Sequence, residues 1–167
     1  NFLSYEGTVI INGQDIQVLD FDSLQQMRQK IGIIFQDYKL IADKTVFDNI
    51  SYRLRGSENE KEVTKLVQYW AKRLKIAQYL AEYPSNLSGG EQQRVAIARA
   101  IVDRPSIILA DEPTANLDPK NALHVMAILT ELNQKGTTII LTTHNTDIKR
   151  RYQYRTILLA DGKLVND

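Results

Sequence analysis

Ser88, Gly89, Gly90 and Glu91 form a group whose spacing could hold an anion. A serine followed three residues later by a glutamate is a capping-box pattern, so Ser88 can close the first turn of a helix starting at Gly89. The two glycines leave the first amides with no side chain in front of them. Bare amides at the positive end of a helix favour phosphate-like oxygens. A plain structural cap needs only the serine and the glutamate, so the glycine pair and the following Gln92-Gln93-Arg94 are what favour a functional site. Asp111 and Glu112 end the apolar run 107–110. That order places two carboxylates at the carboxyl edge of a strand, where α/β proteins bind ligands. His144 follows another apolar strand pattern, and Gln36 follows a third that ends at Phe35. Asp118 precedes Pro119 and suits a helix N-cap. His124 falls within a helical stretch and is assigned no role.

The elements needed to position these residues are legible in outline. Thr8-Val9-Ile10-Ile11 followed by Asn12-Gly13 reads as a strand running into a type I′ hairpin turn. Ser23 and Gln26 give a capping-box pattern for a short helix before the apolar strand 31–35. From 45 to about 82 the pattern is helical, with Val63, Leu66, Val67, Trp70, Leu74 and Ala77 on one face. Arg55-Gly56-Ser57-Glu58-Asn59-Glu60 is a polar connection inside it. Pro84-Ser85-Asn86 breaks the pattern, and a new helix is expected from about Gly89 to Val102. The remainder alternates as parallel α/β units do: buried strand 107–110, helix 119–134 stopped by Gly136, strand 137–142. Runs 156–159 and 163–165 flank Asp161-Gly162, a second hairpin signal. No internal repeat, low-complexity tract or interdomain linker interrupts the chain.

Composition sets limits. The 167 residues are 43% hydrophobic and 25% charged, as in an ordinary globular domain. Twenty-one Lys and Arg against 20 Asp and Glu give a formal charge of +1, too little for a broad nucleic-acid footprint. There are no cysteines, which excludes disulfides and thiolate metal sites and fits a reducing cytosolic setting. No stretch reaches the ~18 to 20 consecutive apolar residues of a membrane span, and the opening Asn1-Phe2-Leu3-Ser4-Tyr5 does not read as a signal peptide.

Leu87-Ser88-Gly89-Gly90-Glu91-Gln92-Gln93-Arg94, with Asp111-Glu112 beginning 17 residues after Arg94, resembles the signature motif and Walker B strand of the ATP-binding cassette (ABC) ATPases. The resemblance extends from Asn1 to Asp167. It implies an α/β, P-loop NTPase-like core sheet in a single domain, residues 1–167, with a helical subdomain inserted at about 37–103. It also implies ATP and Mg²⁺ as cofactors and a head-to-tail dimer with a second ATPase subunit. Carried over residue by residue, Asp111 holds Mg²⁺ directly or through water, and Glu112 is the general base for the attacking water. Gln36 is the Q-loop glutamine sensing Mg²⁺ and that water, and His144 is the switch histidine contacting the γ-phosphate. Ser88, Gly89, Gly90 and Glu91 are the signature surface facing ATP held by the other subunit. Asp118 closes the D-loop Pro113-Thr114-Ala115-Asn116-Leu117-Asp118 and would cross the dimer interface, a role as compatible with the sequence as its N-cap reading.

One family element is not found. The 167 residues contain no G-x-x-x-x-G-K-[ST] phosphate loop. The resemblance therefore implies an N-terminally truncated cassette lacking a strand, loop and helix of roughly 30 or more residues. Such a chain is expected to be inactive alone, poorly stable and prone to associate, with apolar sheet faces uncovered.

Ile34-Phe35-Gln36-Asp37-Tyr38-Lys39-Leu40 and Asp43-Lys44-Thr45-Val46-Phe47-Asp48-Asn49-Ile50 look most like the FtsE-like, cell-division branch of the family. The D-loop and the ending at 154–162 point the same way. That branch implies an integral membrane partner of the FtsX type, a location at the cytoplasmic face of the cell membrane and no nucleic acid. In it the 38–49 segment would meet the partner, although Tyr38, Leu40 and Phe47 equally suit internal packing. The lipoprotein-release and macrolide-export ATPases are alternatives, and so is a non-hydrolysing binding module.

Overall fold

Asn12 and Gly13 both take left-handed backbone angles, φ +52° and +78°, and so turn β1 (Ile10–Ile11) back onto β2 (Gln14–Asp15) as an antiparallel pair. The paired part is shorter than the run 8–11. These positions come from a computed structural model that describes residues 7–54, 56 and 59–166. The expectations for Asn1 to Tyr5, and for Arg55, Ser57 and Glu58, lie outside the described residues.

Helix α1 (Phe21–Gln29) is capped by Asp20, whose carboxylate accepts from the Ser23 amide at 2.7 Å. Ser23 is thus the third residue of the helix and not its cap. The two patterns overlap in sequence, and the carboxylate is the acceptor that wins. Strand β3 (Ile31–Ile34) follows directly.

Between β3 and the next strand the regular structure of the described residues is helical. They form α2 (Val46–Ser51), α3 (Glu60–Arg73) and α4 (Gly89–Ile101), joined by 3₁₀ turns at Tyr52–Leu54, Ala77–Tyr79 and Pro84–Asn86. The pattern read as helical over 45–82 is therefore broken twice. Its second break follows Leu74, where Lys75 turns left-handed at φ +56°. That turn buries Ile76 and leaves Ala77 exposed, so the packing face is Val67, Trp70, Ala71, Leu74 and Ile76. Asn49 is fully buried, and its amide meets the main chain of Ile41, Lys44 and Thr45 at 2.8 to 3.1 Å.

Strands β4 (Ile107–Asp111) and β5 (Thr138–Thr142) complete a parallel sheet of order β3-β4-β5. Ile34 pairs with Ala110, and Asp111 with Thr142. Helix α5 (Pro119–Gln134) crosses from β4 to β5. After α6 (Thr146–Arg151) come β6 (Leu158–Ala160) and β7 (Lys163–Asn166), which pair through Asp161 and Gly162, both at positive φ.

The core lies on one face of the sheet. Ile34, Ile97, Ile101 and Ile108 are fully buried, each worth about 1.5–3 kcal/mol in water removed from apolar surface. Helix α4 approaches so closely that a side-chain carbon on Gly32 would lie 2.3 Å from the Ala100 carbonyl oxygen. On the other face Ile33, Leu109 and Ile140 stand in register and are 41, 38 and 60% exposed. Strand 107–110, read from sequence as buried, is thus covered on one side only by the described residues, and the other side is an uncovered apolar sheet face of the kind expected from the sequence.

Polar straps fasten the helices to the sheet and to one another. Arg53 bridges Asp103 at 2.8 Å and donates to the carbonyls of Ile31 and Gln29. Arg73 on α3 reaches Glu131 on α5 at 2.5 Å, and Lys135 meets the same carboxylate at 2.6 Å. His124 takes a structural part here, its Nε2–H donating to the Arg73 carbonyl at 2.6 Å. No helix among the described residues is long and apolar enough to cross a membrane.

Candidate functional site

Three parallel strands with matched ends bring their following residues to one edge. Asp111 is the last residue of β4 and lies level with Thr142 on β5. The Thr142 hydroxyl donates to Asp111 Oδ1 at 2.6 Å and accepts the Glu112 amide at 3.2 Å. Glu112 leaves the strand with φ +44°, a left-handed angle uncommon outside glycine. Its side chain is only 14% exposed, and Oε1 accepts from the His144 amide at 2.9 Å and meets His144 Nδ1 at 2.6 Å. That geometry puts a proton on Nδ1, so the neutral ring presents Nε2 as an acceptor and the protonated ring presents it as a donor. The His144 side chain is 82% exposed.

Gln36 emerges at the same edge, two residues past Ile34, which pairs with Ala110. It is exposed, and its side chain makes no hydrogen bond among the described residues. The next residues are held firmly. Tyr38 and Lys39 are left-handed, φ +62° and +47°, and their carbonyls each accept from the Arg99 guanidinium of α4 at 2.7 Å. Burial, with Arg53 nearby as a lesser cause, pushes Arg99 below its ordinary pKa.

Helix α4 begins as its sequence implied. Ser88 is the N-cap, accepting from the Glu91 amide at 3.4 Å. Glu91 Oε2 in turn accepts from the Ser88 amide at 2.8 Å and the Ser88 hydroxyl at 2.7 Å. The Tyr79 hydroxyl and then these Ser88 bonds hold the Glu91 carboxyl below its usual range. Packing supplies a second reason for the glycines. A side-chain carbon on Gly89 would sit 2.9 Å from the Tyr38 hydroxyl, and one on Gly90 would sit 3.0 Å from the Asn116 carbonyl oxygen.

The turn 113–118 therefore lies between the two groups, leaving the Asp111-Glu112 edge and reaching the start of α4. Asp118 caps α5, accepting from the Asn121 amide at 3.0 Å, a bond that lowers its pKa. The structure joins Asp111, Glu112 and His144 directly and sets Gln36 on their edge. Ser88, Gly89, Gly90 and Glu91 form a separate surface beside Asn116. Thr142 and Arg99 were missed by sequence reasoning. The signals present were a hydroxyl at the end of β5, level with Asp111, and an arginine inside the otherwise apolar stretch 95–102.

These donors suit a hard cation held with phosphate. Asp111 Oδ2 has no hydrogen-bond partner among the described residues, and no group of three or more His, Asp or Glu there could hold a metal by itself. A single carboxylate completed by substrate phosphates and water is the usual Mg²⁺ arrangement. The first-turn amides at Gly89 and Gly90 suit an anion.

A family model described as ABC transporter matches residues 1–115. The cell division ATP-binding protein FtsE of Streptococcus pneumoniae serotype 2 is 38% identical over 163 residues, 97% of this chain and 71% of the relative. The methionine import ATP-binding protein MetN 2 of Pseudomonas aeruginosa is 40% identical over 162 residues, 95% of this chain and 48% of the relative. Among solved structures, the dimeric post-hydrolysis state of the ATP-binding cassette MJ0796 bound to ADP and Pi superposes with a TM-score of 0.89 at 38% identity, covering 96% of this chain and 72% of that one.

Proposed function

The chain belongs to the ABC transporter family, and we propose that it is the FtsE-like ATPase part of a membrane complex, coupling ATP-driven dimerisation to an FtsX-like partner in cell division. The fold is that of an ABC ATPase cassette, whose family binds ATP, dimerises and works with membrane subunits. The observation carrying the ATPase part of the reading is the Glu112–His144 pair at the strand edge beside Asp111. Glu112, fixed through Oε1, orients the attacking water and takes its proton. His144, tied to Glu112, presents its outer ring nitrogen to the transferred phosphoryl group. Asp111 would hold Mg²⁺, which would supply charge neutralisation on the phosphates, and Gln36 would respond to that metal and the water. Ser88, Gly89, Gly90 and Glu91 face nucleotide on the opposite subunit of a head-to-tail dimer, with Asp118 at the crossing. The site works at the cytoplasmic face of the cell membrane, reached through the partner. The helical insertion is residues 37–103 of the single domain 1–167.

Hydrolysis is proposed for a protein that also carries a phosphate loop, because that loop's amides and lysine supply much of the charge stabilisation. The 167 residues by themselves are proposed not to turn over ATP.

A methionine-import role is the second reading, favoured by the 40% identity to MetN 2. The segments 34–40 and 43–50, which resemble the FtsE-like branch, support the division role. Depleting the native protein and scoring cell separation together with uptake of labelled methionine tests the choice. Division failure with normal uptake is expected. Lost uptake with normal division would replace the proposal with the import reading, and absence of ATP hydrolysis by the native full-length protein would replace it with a non-hydrolysing module.

A further inference from the structure

A hydroxyl has one proton and two lone pairs, and Thr142 commits the proton and one lone pair to the two acidic residues of the site. The proton goes to Asp111 Oδ1 at 2.6 Å, in the range of a charge-assisted O–H···O⁻ bond. The oxygen accepts the Glu112 amide at 3.2 Å. That amide would otherwise be left over, because Glu112 turns off the strand at φ +44°. The parallel register Asp111↔Thr142 brings the two side chains together. One hydroxyl therefore fixes both the rotation of the Asp111 carboxylate and the main-chain turn that delivers Glu112 to His144.

We infer that Thr142 is a positioning residue for the metal-binding carboxylate, holding Asp111 by Oδ1 so that Oδ2 is presented to the cation. The inference rests on reading Asp111 as the Mg²⁺ carboxylate. Aspartate bound at one oxygen loses its freedom to rotate, and removal of such an outer partner typically weakens metal binding or activity by about 10- to 100-fold. Glu112 is affected through its backbone, so the chemical step suffers too, while affinity for nucleotide without metal does not.

Thr142→Val keeps the branched shape and removes the hydroxyl, and Thr142→Ser keeps the hydroxyl and removes the methyl. Both are made in the native full-length protein, with Mn²⁺ binding in the presence of ADP followed by electron paramagnetic resonance and ATP turnover measured alongside. Thr142→Val is expected to weaken Mn²⁺ binding about tenfold or more and to lower kcat, with affinity for metal-free ADP little changed, and Thr142→Ser is expected to recover most of both losses. If the valine variant does not fold, Thr142→Ala takes its place in the same titration. Mn²⁺ binding by the hydroxyl-free variant equal to that of the unaltered protein overturns the inference, and so does a serine variant as impaired as the valine one. An unaltered protein that binds no Mn²⁺ with ADP removes the Asp111 reading itself, and this inference with it.

Discussion

Arg99 holds the main-chain carbonyl of Tyr38 at 2.7 Å, and through Tyr38 and its neighbour Lys39 the segment after Gln36 is fastened to α4. The same helix opens at the Ser88 surface, so two sequence-distant groups share one rigid element. Arg99→Ala strands two carbonyls that now accept from a charged donor, and is expected to cost about 2–3 kcal/mol of stability. Arg99→Lys should recover less than half of this, because an ammonium does not span both oxygens as the planar fork does. Urea unfolding midpoints of the three proteins check it. Equal midpoints for arginine and lysine would remove the role of the fork.

Gly89 and Gly90 meet different neighbours, and their alanine variants should differ. At Gly89 the new carbon meets the far end of the Tyr38 side chain, which can shift. At Gly90 it presses on the Asn116 main-chain oxygen and so displaces the turn leading to Asp118. Gly90→Ala should impair ATP-dependent dimerisation of the full-length protein more than Gly89→Ala, and Ser88→Arg should block it through bulk. Sedimentation with ATP checks all three. Normal dimerisation of Ser88→Arg would sink the assignment of this surface to the dimer interface.

Glu112→Gln keeps the acceptor for the His144 amide but cannot take a proton. Turnover should fall by about 10²- to 10⁴-fold with ATP binding retained, which traps the dimer. Comparison of phosphate release with nucleotide binding tests this, and unchanged hydrolysis would take Glu112 out of the catalytic role.

Glu131 is held down to about 2 by Arg73 first and Lys135 second. A lowered carboxyl in the folded chain stabilises above its unfolded value of 4.5 and loses that contribution as pH falls from there towards 2. Acid unfolding of Glu131→Gln should therefore depend less on pH across this window than unfolding of the unaltered chain. Parallel pH profiles would show that the Arg73–Glu131 strap does not survive in solution. Added salt should shrink the difference.

The part of this site that was legible in sequence is the part written locally. Ser88 and Glu91 bond each other three residues apart, and Asp118 caps the helix that starts at the next residue. Helix α5 matches its sequence pattern from Pro119 to Gln134 because proline and glycine punctuate both ends. Local rules failed where two of them competed, as at Asp20 and Ser23, or where a left-handed turn at Lys75 interrupted a continuing apolar rhythm. Which face of the strands is covered was not legible, because Ile33, Leu109 and Ile140 are as apolar as the buried residues beside them. Thr142 and Arg99 stayed hidden for a different reason. Their partners lie 31 and 61 residues away in the chain, and only the folded register brings them together.

Asn49 carries a last consequence. Its buried amide holds Ile41, Lys44 and Thr45 entirely by their main-chain atoms, so the path of that loop is set from beneath by one side chain. The outward side chains of Ala42, Asp43 and Lys44 are interchangeable as far as this bracing is concerned. The loop is a replaceable faceplate on a fixed mount, and its lettering can be rewritten for a new neighbour while the backbone beneath it keeps its course.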